Sequence, residues 1–242
     1  MISIANPIIG EEEIEGVRKV LESGYLTQGE KVEEFEEDFS QYVNTKFSVG
    51  TNNGTSALHT ALASVGVNSG DEVITPDFSF ISSATCILMQ GARAKFCDVK
   101  RGTYNLDPED LKENISEKTG AIIAVHLFGQ SCDMDAILEI ASDHDVPVIE
   151  DACQAHGAEY KGKKVGSIGT VGCFSFYPTK NMTTGEGGMI TTEDKEIAEK
   201  ARKFINHGQS EKYLHESLGY NYRMTNISAS LGLIQLEKLY RF

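Results

Sequence analysis

The chain has 242 residues, a formal net charge of −14, and 40% apolar and 8% aromatic residues, an ordinary composition for one large globular domain or two smaller ones. The acidic balance argues against a nucleic-acid-binding surface, which needs a basic patch, and against attraction to anionic membranes. No segment has transmembrane length, no basic and apolar leader opens the chain, and the five widely spaced cysteines form no CxxC pair, so we expect a cytoplasmic protein with reduced thiols.

Two amphipathic helices are predicted first. Three glutamates open the first of them, over residues 11–23, and Gly24 ends it. An apolar stripe over residues 32–43 predicts the second helix. From residue 46 onward, strands and helices alternate. The predicted strands cover 46–49, 72–75, 94–99, 121–125, 146–150, 171–176 and 188–192, and the predicted helices cover 55–65, 79–90, 108–114, 134–144 and 195–207.

This alternation predicts an α/β fold with a largely parallel sheet covered by helices on both faces. The apolar runs AIIAV (121–125) and VPVIE (146–150) suit strands that are buried on both sides. In such sheets, ligands bind beyond the carboxyl ends of the strands. A last helical stripe covers 226–240, two residues before the end. We expect it to lack a packing partner because a second domain is missing.

The segment CFSFYPTKNMTTGEGGMI (173–190) presents a lysine where a strand must end. Pro178 removes a backbone donor and fixes its own φ, so Lys180 lies on a turn that leaves the sheet. The glycines at 185, 187 and 188 allow close backbone approach behind that turn. A partly desolvated lysine can act as an amine nucleophile, whereas most lysines near turns are solvated surface residues.

The segment TNNGTS (51–56) predicts a phosphate site. Gly54 permits a tight turn, and Thr55 and Ser56 place hydroxyl and free N–H groups at a helix N-terminus. The alternative interpretation is an ordinary helix cap. The chain has no GxGxxG for a dinucleotide and no Walker lysine, which disfavours a dinucleotide enzyme or an NTPase.

Further candidate residues follow other strands. Asp151 comes directly after VPVIE, either as a turn cap or as a carboxylate for a cofactor's ring nitrogen. Phe80 is either a core residue or a stacking face for a flat ring, and Ser175 lies near the end of its strand. A phosphate cup, a carboxylate for a pyridine nitrogen, an aromatic face and a nucleophilic lysine together predict pyridoxal 5′-phosphate (PLP) as the ligand.

Seven motifs in order extend this interpretation from end to end. They are GYLTQGEKVEEFE, GTNNGTSALHTAL, GDEVITPDFSFISSA, HLFGQSCDMDAI, VIEDACQAHGAEY, FSFYPTKNMTTGEGGMI and GYNYRMTNISASLGLIQLEKL. With them the chain resembles the DegT/DnrJ/EryC1/StrS family of PLP-dependent sugar aminotransferases. The resemblance implies the large domain of PLP-dependent transferase fold type I, an α/β three-layer sandwich with a mostly parallel mixed sheet, over residues 1–242. It also implies a smaller C-terminal domain, which we expect to be absent or truncated here.

The resemblance implies a role for each matching residue. Lys180 is similar to the lysine that holds PLP covalently as an aldimine and moves protons, and Asp151 to the partner of the pyridine nitrogen. Gln154 matches the residue that hydrogen-bonds the ring hydroxyl, and Phe80 the residue that stacks on the ring. The phosphate-cup residues of the family match Gly54, Thr55 and Ser175.

Two further positions concern the neighbourhood of the cofactor. Asn221 matches an asparagine that reaches the phosphate bound by the neighbouring subunit, which implies a homodimer with shared active sites. Cys153 stands where many members have alanine, on the ring face opposite Phe80, and its small size is expected to preserve cofactor binding. No metal site is predicted.

The implied reaction moves an amino group, from L-glutamate, to a nucleotide-linked keto-sugar, for cell-surface polysaccharide or amino-sugar biosynthesis. Two alternatives stay open. One is a PLP-dependent sugar dehydratase of the same family, although those members replace the lysine with histidine and this chain keeps Lys180. The other is a non-catalytic fragment that binds PLP or dimerises.

Overall fold

Eight α-helices and eleven strands form the part of the chain described by the computed structural model, residues 5–241. The helices are α1 (Glu11–Ser23), α2 (Glu30–Val43), α3 (Gly54–Ser64), α4 (Ser82–Met89), α5 (Pro108–Asn114), α6 (Met134–Asp143), α7 (Lys195–Phe204) and α8 (Asn226–Lys238). The strands are β1 (Phe47–Thr51), β2 (Glu72–Pro76), β3 (Arg93–Cys97), β4 (Thr119–Val125), β5 (Val148–Asp151), β6 (Glu159–Tyr160), β7 (Lys163–Lys164), β8 (Val171–Ser175), β9 (Gly188–Thr192), β10 (Gln209–Glu211) and β11 (Leu214–His215).

Seven strands form one mixed sheet in the order β1-β9-β8-β5-β4-β2-β3. Every neighbouring pair from β8 to β3 is parallel, while β9 runs antiparallel to both β1 and β8. The expected α/β fold with a mostly parallel mixed sheet is therefore confirmed. Strands β4, β5, β8 and β9 are almost wholly buried, as their continuous apolar runs predict for a sheet covered on both faces.

The helix boundaries follow local signals. Gly24 ends α1 in the left-handed conformation with φ 76°, as its position predicts. Asp107 caps α5 by accepting from the Glu109 amide at 3.1 Å, with Pro108 as the first helical residue. The predicted helix 79–90 begins only at Ser82, because residues 77–81 form a bend that leads from β2.

Two apolar clusters cover opposite faces of the part of the sheet that carries the site. One packs α3, α4 and α7 on the strands and includes Leu58, Leu62 and Ile87. The other is built around four aromatic rings from α2, β8 and the residue after β8, with centroids 4.9–5.9 Å apart (Phe35, Phe39, Phe174 and Phe176). A third cluster packs α5 and α6 beneath β2, β4 and β5.

The prediction that the last helix lacks a packing partner is wrong, because α8 packs against other helices of the same chain. It lies against α1 and α2, and the Thr225 side chain caps it by accepting from the Ser228 amide at 3.1 Å. Glu13 of α1 is fully buried and accepts hydrogen bonds from Gln235 at 2.9 Å and from Lys238 at 2.8 Å. The buried residues of α8, among them Ala229, Gly232 and Leu236, thus pack on the first two helices of the same chain, while Ile227, Leu231 and Ile234 of the predicted stripe are half-buried.

The buried Glu13 predicts a pH-dependent contribution to stability. Burial alone raises its pKa, but hydrogen bonds from Lys238, Gly10 and Gln235 outweigh burial and lower the pKa from 4.5 to about 2. A lowered pKa gives stability that is fully present above the unfolded value and is lost as the pH falls from about 4.5 to about 2. Glu13→Gln is therefore expected to lower the free energy of unfolding at neutral pH, by an amount that shrinks across that acid range. Urea unfolding at a series of pH values measures the difference.

The neighbouring Glu12→Gln variant is the matched control. Glu12 also pairs with Lys238, but its side chain is 71% exposed, and exposed ion pairs contribute little. We expect it to change the free energy of unfolding by less than about 1 kcal/mol. Equal effects of the two variants, or a Glu13→Gln effect that does not depend on pH, would contradict the assignment.

Two short hairpins lie in segments where no strand is predicted. Strands β6 and β7 pair between β5 and β8, and β10 pairs with β11 after α7. Strands of two or three residues are too short to show an alternating pattern. Among residues 5–241, none of the helices combines the length and apolar character needed to cross a membrane.

Candidate active site

A cleft of about 710 Å³ opens beyond the carboxyl ends of the strands, and most of the predicted site residues line it. The turn after β1, the bend after β2, the end of β5, the end of β8 and the loop after β8 all contribute to its wall. Seven of the eight cofactor-binding candidates lie there: Gly54, Thr55, Phe80, Asp151, Gln154, Ser175 and Lys180. Residues far apart in sequence therefore meet at one place.

The phosphate-site candidate is the N-terminus of α3. Asn53 caps this helix, since its side chain accepts from the Ser56 amide at 2.8 Å. The cap leaves Gly54 and Thr55 as the first two helical residues, whose amides have no acceptor within a helix. A Cβ on Gly54 would lie 2.7 Å from the Ser175 Cβ, so glycine is required for β8 to approach this closely. The Asn52 Oδ1 atom is buried without a partner beside the same turn.

The carboxylate of Asp151 lies at the buried end of the cleft and is held from two sides. One oxygen accepts from the Ser83 hydroxyl at 2.8 Å, and the other accepts from the Cys153 amide at 3.2 Å. Ser83 in turn lies 2.8 Å from the Ser79 hydroxyl, and Ser79 lines the cleft. Asp151 is the last residue of β5 and not the first residue after it.

Glu150 lies on the opposite face of β5 from Asp151, and its side chain is fully buried together with that of His126. Its carboxylate accepts from the amides of Gly166, Ile168 and Gly169 at 2.7–2.8 Å. It also lies 2.9 Å from the Nε2 atom of His126, and the Nδ1 atom of that ring accepts from the Cys132 amide, which places the ring proton on Nε2. Burial alone raises the pKa of Glu150, but these hydrogen bonds, that of His126 foremost, hold it below its usual value. The network fixes the strand that presents Asp151.

Lys180 is half-buried on a loop that is closed at its base. The Phe176 amide donates to the Gly187 carbonyl at 2.8 Å, and the Phe176 carbonyl accepts from the Thr183 hydroxyl and the Thr184 amide. Gln235 of α8 accepts from the Thr183 amide at 3.3 Å, which connects this loop to the α1–α8 contact. These hydrogen bonds hold the loop, and with it Lys180, at the cleft. None of them involves the side-chain nitrogen of Lys180.

The glycines behind Lys180 allow the close backbone approach that the sequence predicts. A Cβ on Gly188 would lie 2.5 Å from the Asn53 carbonyl oxygen, and one on Gly187 would lie 2.2 Å from the Thr184 hydroxyl. The space at these glycines is thus taken by the backbone before α3 and by the loop itself. Glu186, between them, lines the cleft.

Two other side chains near Lys180 are held in their neutral forms. His156 is buried, and burial together with the nearby Lys180 charge lowers its pKa to about 3, so its ring is neutral. Cys153 lines the cleft, and burial together with the charge of Asp151 raises the pKa of its thiol, which keeps it protonated. Neither of these two side chains therefore carries a charge beside Lys180.

Phe80 is 66% exposed on the cleft wall, which excludes its alternative role in the core. Gln154 accepts from the Phe128 amide at 2.9 Å, so its side-chain oxygen has a fixed direction. Asn221 is exposed and is not part of the cleft wall, whereas its neighbour Tyr222 is. The sequence offers no signal for several other lining residues: Ser79, Ser82, Met89, Tyr177, Thr179 and Glu186.

The sequence profile of the DegT/DnrJ/EryC1/StrS aminotransferase family matches residues 7–242. The spore coat polysaccharide biosynthesis protein SpsC of Bacillus subtilis is 45% identical over 245 residues, which cover 96% of this chain and 63% of that protein. The GDP-perosamine synthase of Caulobacter vibrioides is 44% identical over 241 residues, which cover 98% of this chain and 65% of that protein. The chain thus spans somewhat less than two thirds of the length of these curated relatives.

A solved structure is similar over nearly the whole chain. The PLP form of the Streptococcus pneumoniae protein Spr1654 is 33% identical, with a TM-score of 0.93 over 99% of this chain and 67% of that one. This agreement in fold confirms the fold type that the sequence motifs imply.

Proposed function

The chain belongs to the DegT/DnrJ/EryC1/StrS aminotransferase family, and on that premise we propose that it carries the PLP-binding and catalytic part of a sugar aminotransferase. The reaction is the transfer of an amino group, from L-glutamate, to a nucleotide-linked keto-sugar, in polysaccharide or amino-sugar biosynthesis. The single observation that carries the proposal is the convergence of Lys180, Asp151, Phe80 and the α3 N-terminus on one cleft. The names of two relatives, a polysaccharide biosynthesis protein and a perosamine synthase, support the substrate class.

The residues present fit PLP. Two helical amides without helical acceptors at Gly54 and Thr55, with the Ser175 hydroxyl beside them, suit a phosphate dianion. At the other end of the cleft, Asp151 offers a carboxylate to a protonated ring nitrogen, and the exposed face of Phe80 suits a flat ring.

When bound, PLP supplies an electron sink that stabilises negative charge on the substrate carbon bearing the amino group. The chain's own residues then have distinct tasks. Asp151 would keep the ring nitrogen protonated, Gln154 would orient the ring by a hydrogen bond to the ring hydroxyl, and the α3 amides with Thr55 and Ser175 would hold the phosphate. Lys180 would hold the cofactor covalently and, once released, its amine would carry a proton between the substrate carbon that bears nitrogen and the cofactor carbon, as each half-reaction requires.

The dehydratase alternative is weaker because Lys180 is present. A lysine amine can move a proton at the substrate carbon, as amino transfer requires. Supplying glutamate and nucleotide-linked keto-sugars and analysing the product distinguishes the two reactions. An amino sugar supports the proposal, and a deoxy sugar without nitrogen would favour dehydration.

The proposal includes a cytoplasmic homodimer with shared sites. Asn221 is exposed beside Tyr222 at the cleft edge, where it is available to a second copy, although it does not line this chain's own cleft. The loop before it also exposes Tyr213 and Leu218, which suits contact with another subunit. Domain organisation is proposed on the same basis: residues 1–242 form the N-terminal segment and the large PLP-binding domain of a longer architecture.

The purified protein is expected to take up PLP and to turn yellow. Borohydride is expected to fix the cofactor on the peptide that contains Lys180, because a lysine amine bonded to the PLP carbon is reducible to a stable secondary amine. Absorbance spectra and mass spectrometry of the digested protein measure both effects. The peptide that contains the exposed Lys195 is the internal control and should carry no label. A colourless protein that takes up no added PLP would refute the cofactor assignment.

A further inference from the structure

The side chain of Asp151 can rotate about its last bond, so the residue by itself does not determine the direction of its carboxylate. The χ2 angle of an aspartate is broad and roughly two-fold, so the direction of the carboxylate depends on its hydrogen-bond partners. In this protein the partners are the Ser83 hydroxyl on one oxygen and the Cys153 amide on the other. Ser83 is only 2% exposed, which makes its hydroxyl a buried donor with no access to bulk water.

The direction of each hydrogen bond can be assigned. An ionised carboxylate only accepts, so the Ser83 proton points to Asp151. The Ser83 oxygen then has lone pairs left, and the Ser79 hydroxyl, 2.8 Å away, donates to it. A directed chain therefore runs from Ser79 on the cleft wall through Ser83 to the buried carboxylate.

Helix α4 connects the two polar ends of the cleft. Its first residue, Ser82, lies 2.8 Å from the Thr55 hydroxyl in the phosphate cup, and its second residue, Ser83, binds Asp151. Successive helical residues point about 100° apart, so two adjacent serines reach two different elements. The spacing between the cup and the carboxylate is thereby set by one turn of one helix.

We propose that Ser83 is a positioning residue for the reaction, which holds the Asp151 carboxylate in the direction required by the ring nitrogen of PLP. The inference rests on the proposed function and deepens it. Hydrogen bonds to a charged group are stronger than those between neutral groups, and leaving the carboxylate with one donor allows it to rotate. Ser83 does not touch the ligand itself and acts through Asp151.

The test compares Ser83→Ala with the wild-type protein in two measurements that do not require turnover. One is the PLP dissociation constant, which we expect to rise about tenfold, the change that corresponds to losing about 1.4 kcal/mol of a charged hydrogen bond. The other is the pH at which the visible absorbance of bound PLP changes. That midpoint should move upward, because a less fully protonated ring nitrogen withdraws less electron density from the Lys180 nitrogen.

Two isosteric variants keep the test decisive if the alanine variant does not fold. Threonine and valine have nearly the same shape, but threonine carries a hydroxyl where valine carries a second methyl group. Ser83→Thr should restore both measurements, and Ser83→Val should not. Ser64→Ala is the control for deleting a buried hydroxyl, since Ser64 is equally buried but donates to the Thr60 carbonyl within α3, away from the cleft.

The outcomes separate the two claims. A wild-type protein that binds no PLP overturns the proposed function and the role of Ser83 with it. A wild-type protein that binds PLP, with a folded Ser83→Ala or Ser83→Val variant that has the same midpoint and affinity, overturns the role of Ser83 alone. A shift in both measurements that Ser83→Thr reverses and that Ser64→Ala lacks supports it.

Discussion

Replacing Lys180 with alanine is expected to abolish amino transfer and to leave the fold intact. The loss should be at least about a thousandfold, because the variant lacks both the covalent attachment and the general base at the substrate carbon. The fold should persist because the loop that carries Lys180 is closed by the backbone of Phe176 and by two threonines, which do not use the lysine side chain. Product formation from glutamate and a keto-sugar measures the first effect, and circular dichroism measures the second.

A matched control and a rescue sharpen this prediction. Lys195→Ala removes an exposed lysine at the start of α7 and should leave the rate unchanged. A small amine added to Lys180→Ala should restore part of the rate, since it supplies the missing base inside the cleft. Undiminished turnover in Lys180→Ala would show that another group moves the proton.

Glu150→Gln is expected to lower the free energy of unfolding by about 1–3 kcal/mol, the usual cost of leaving buried hydrogen-bond donors without an acceptor. Three backbone amides and the His126 ring all point donors at this carboxylate. A glutamine offers one acceptor oxygen and directs an NH₂ group at the remaining donors. Urea unfolding of the two proteins measures the change.

The effect of Glu150→Gln should extend to the site, because the next residue is Asp151. We expect weaker PLP binding in the variant even where it remains folded. Glu159→Gln is the matched control, since that carboxylate is about half exposed and its only recorded partner among the described residues is Lys164 at 3.6 Å. A Glu150→Gln protein as stable as the wild type would show that the network contributes no net stability.

Much of the fold follows from sequence because long, regular patterns determine it. The alternation from residue 46 onward gives the parallel sheet, and the glycine after α1 marks the end of that helix. The partner of α8 does not follow, since an apolar stripe shows that a helix is covered without showing by what. Its cover comes from α1, more than two hundred residues earlier, through Glu13.

The residues of the site also divide into those that the sequence reveals and those that only the structure shows. Lys180, Asp151 and the TNNGTS turn are recognisable because each has a residue type that the chemistry needs at a strand end. Ser83 carries no such mark, since nothing in the run SSATC distinguishes one serine from the next. Glu150 ends an apolar run, and only the distant loop at 166–169 shows that its charge is buried and not exposed.

The reversed strand β9 has a consequence for the order of folding. It lies between β1 and β8, so β1 joins the sheet only through a pairing of Phe47 with Thr192 and its neighbours. Contacts so distant along the chain form late, because the entropy of closing a long loop must first be overcome. The turn after β1 also packs directly on Gly188 of that strand. During synthesis on the ribosome, the phosphate cup therefore cannot be complete until β9 has emerged, and the ligand is expected to join a nearly finished domain and not to nucleate it.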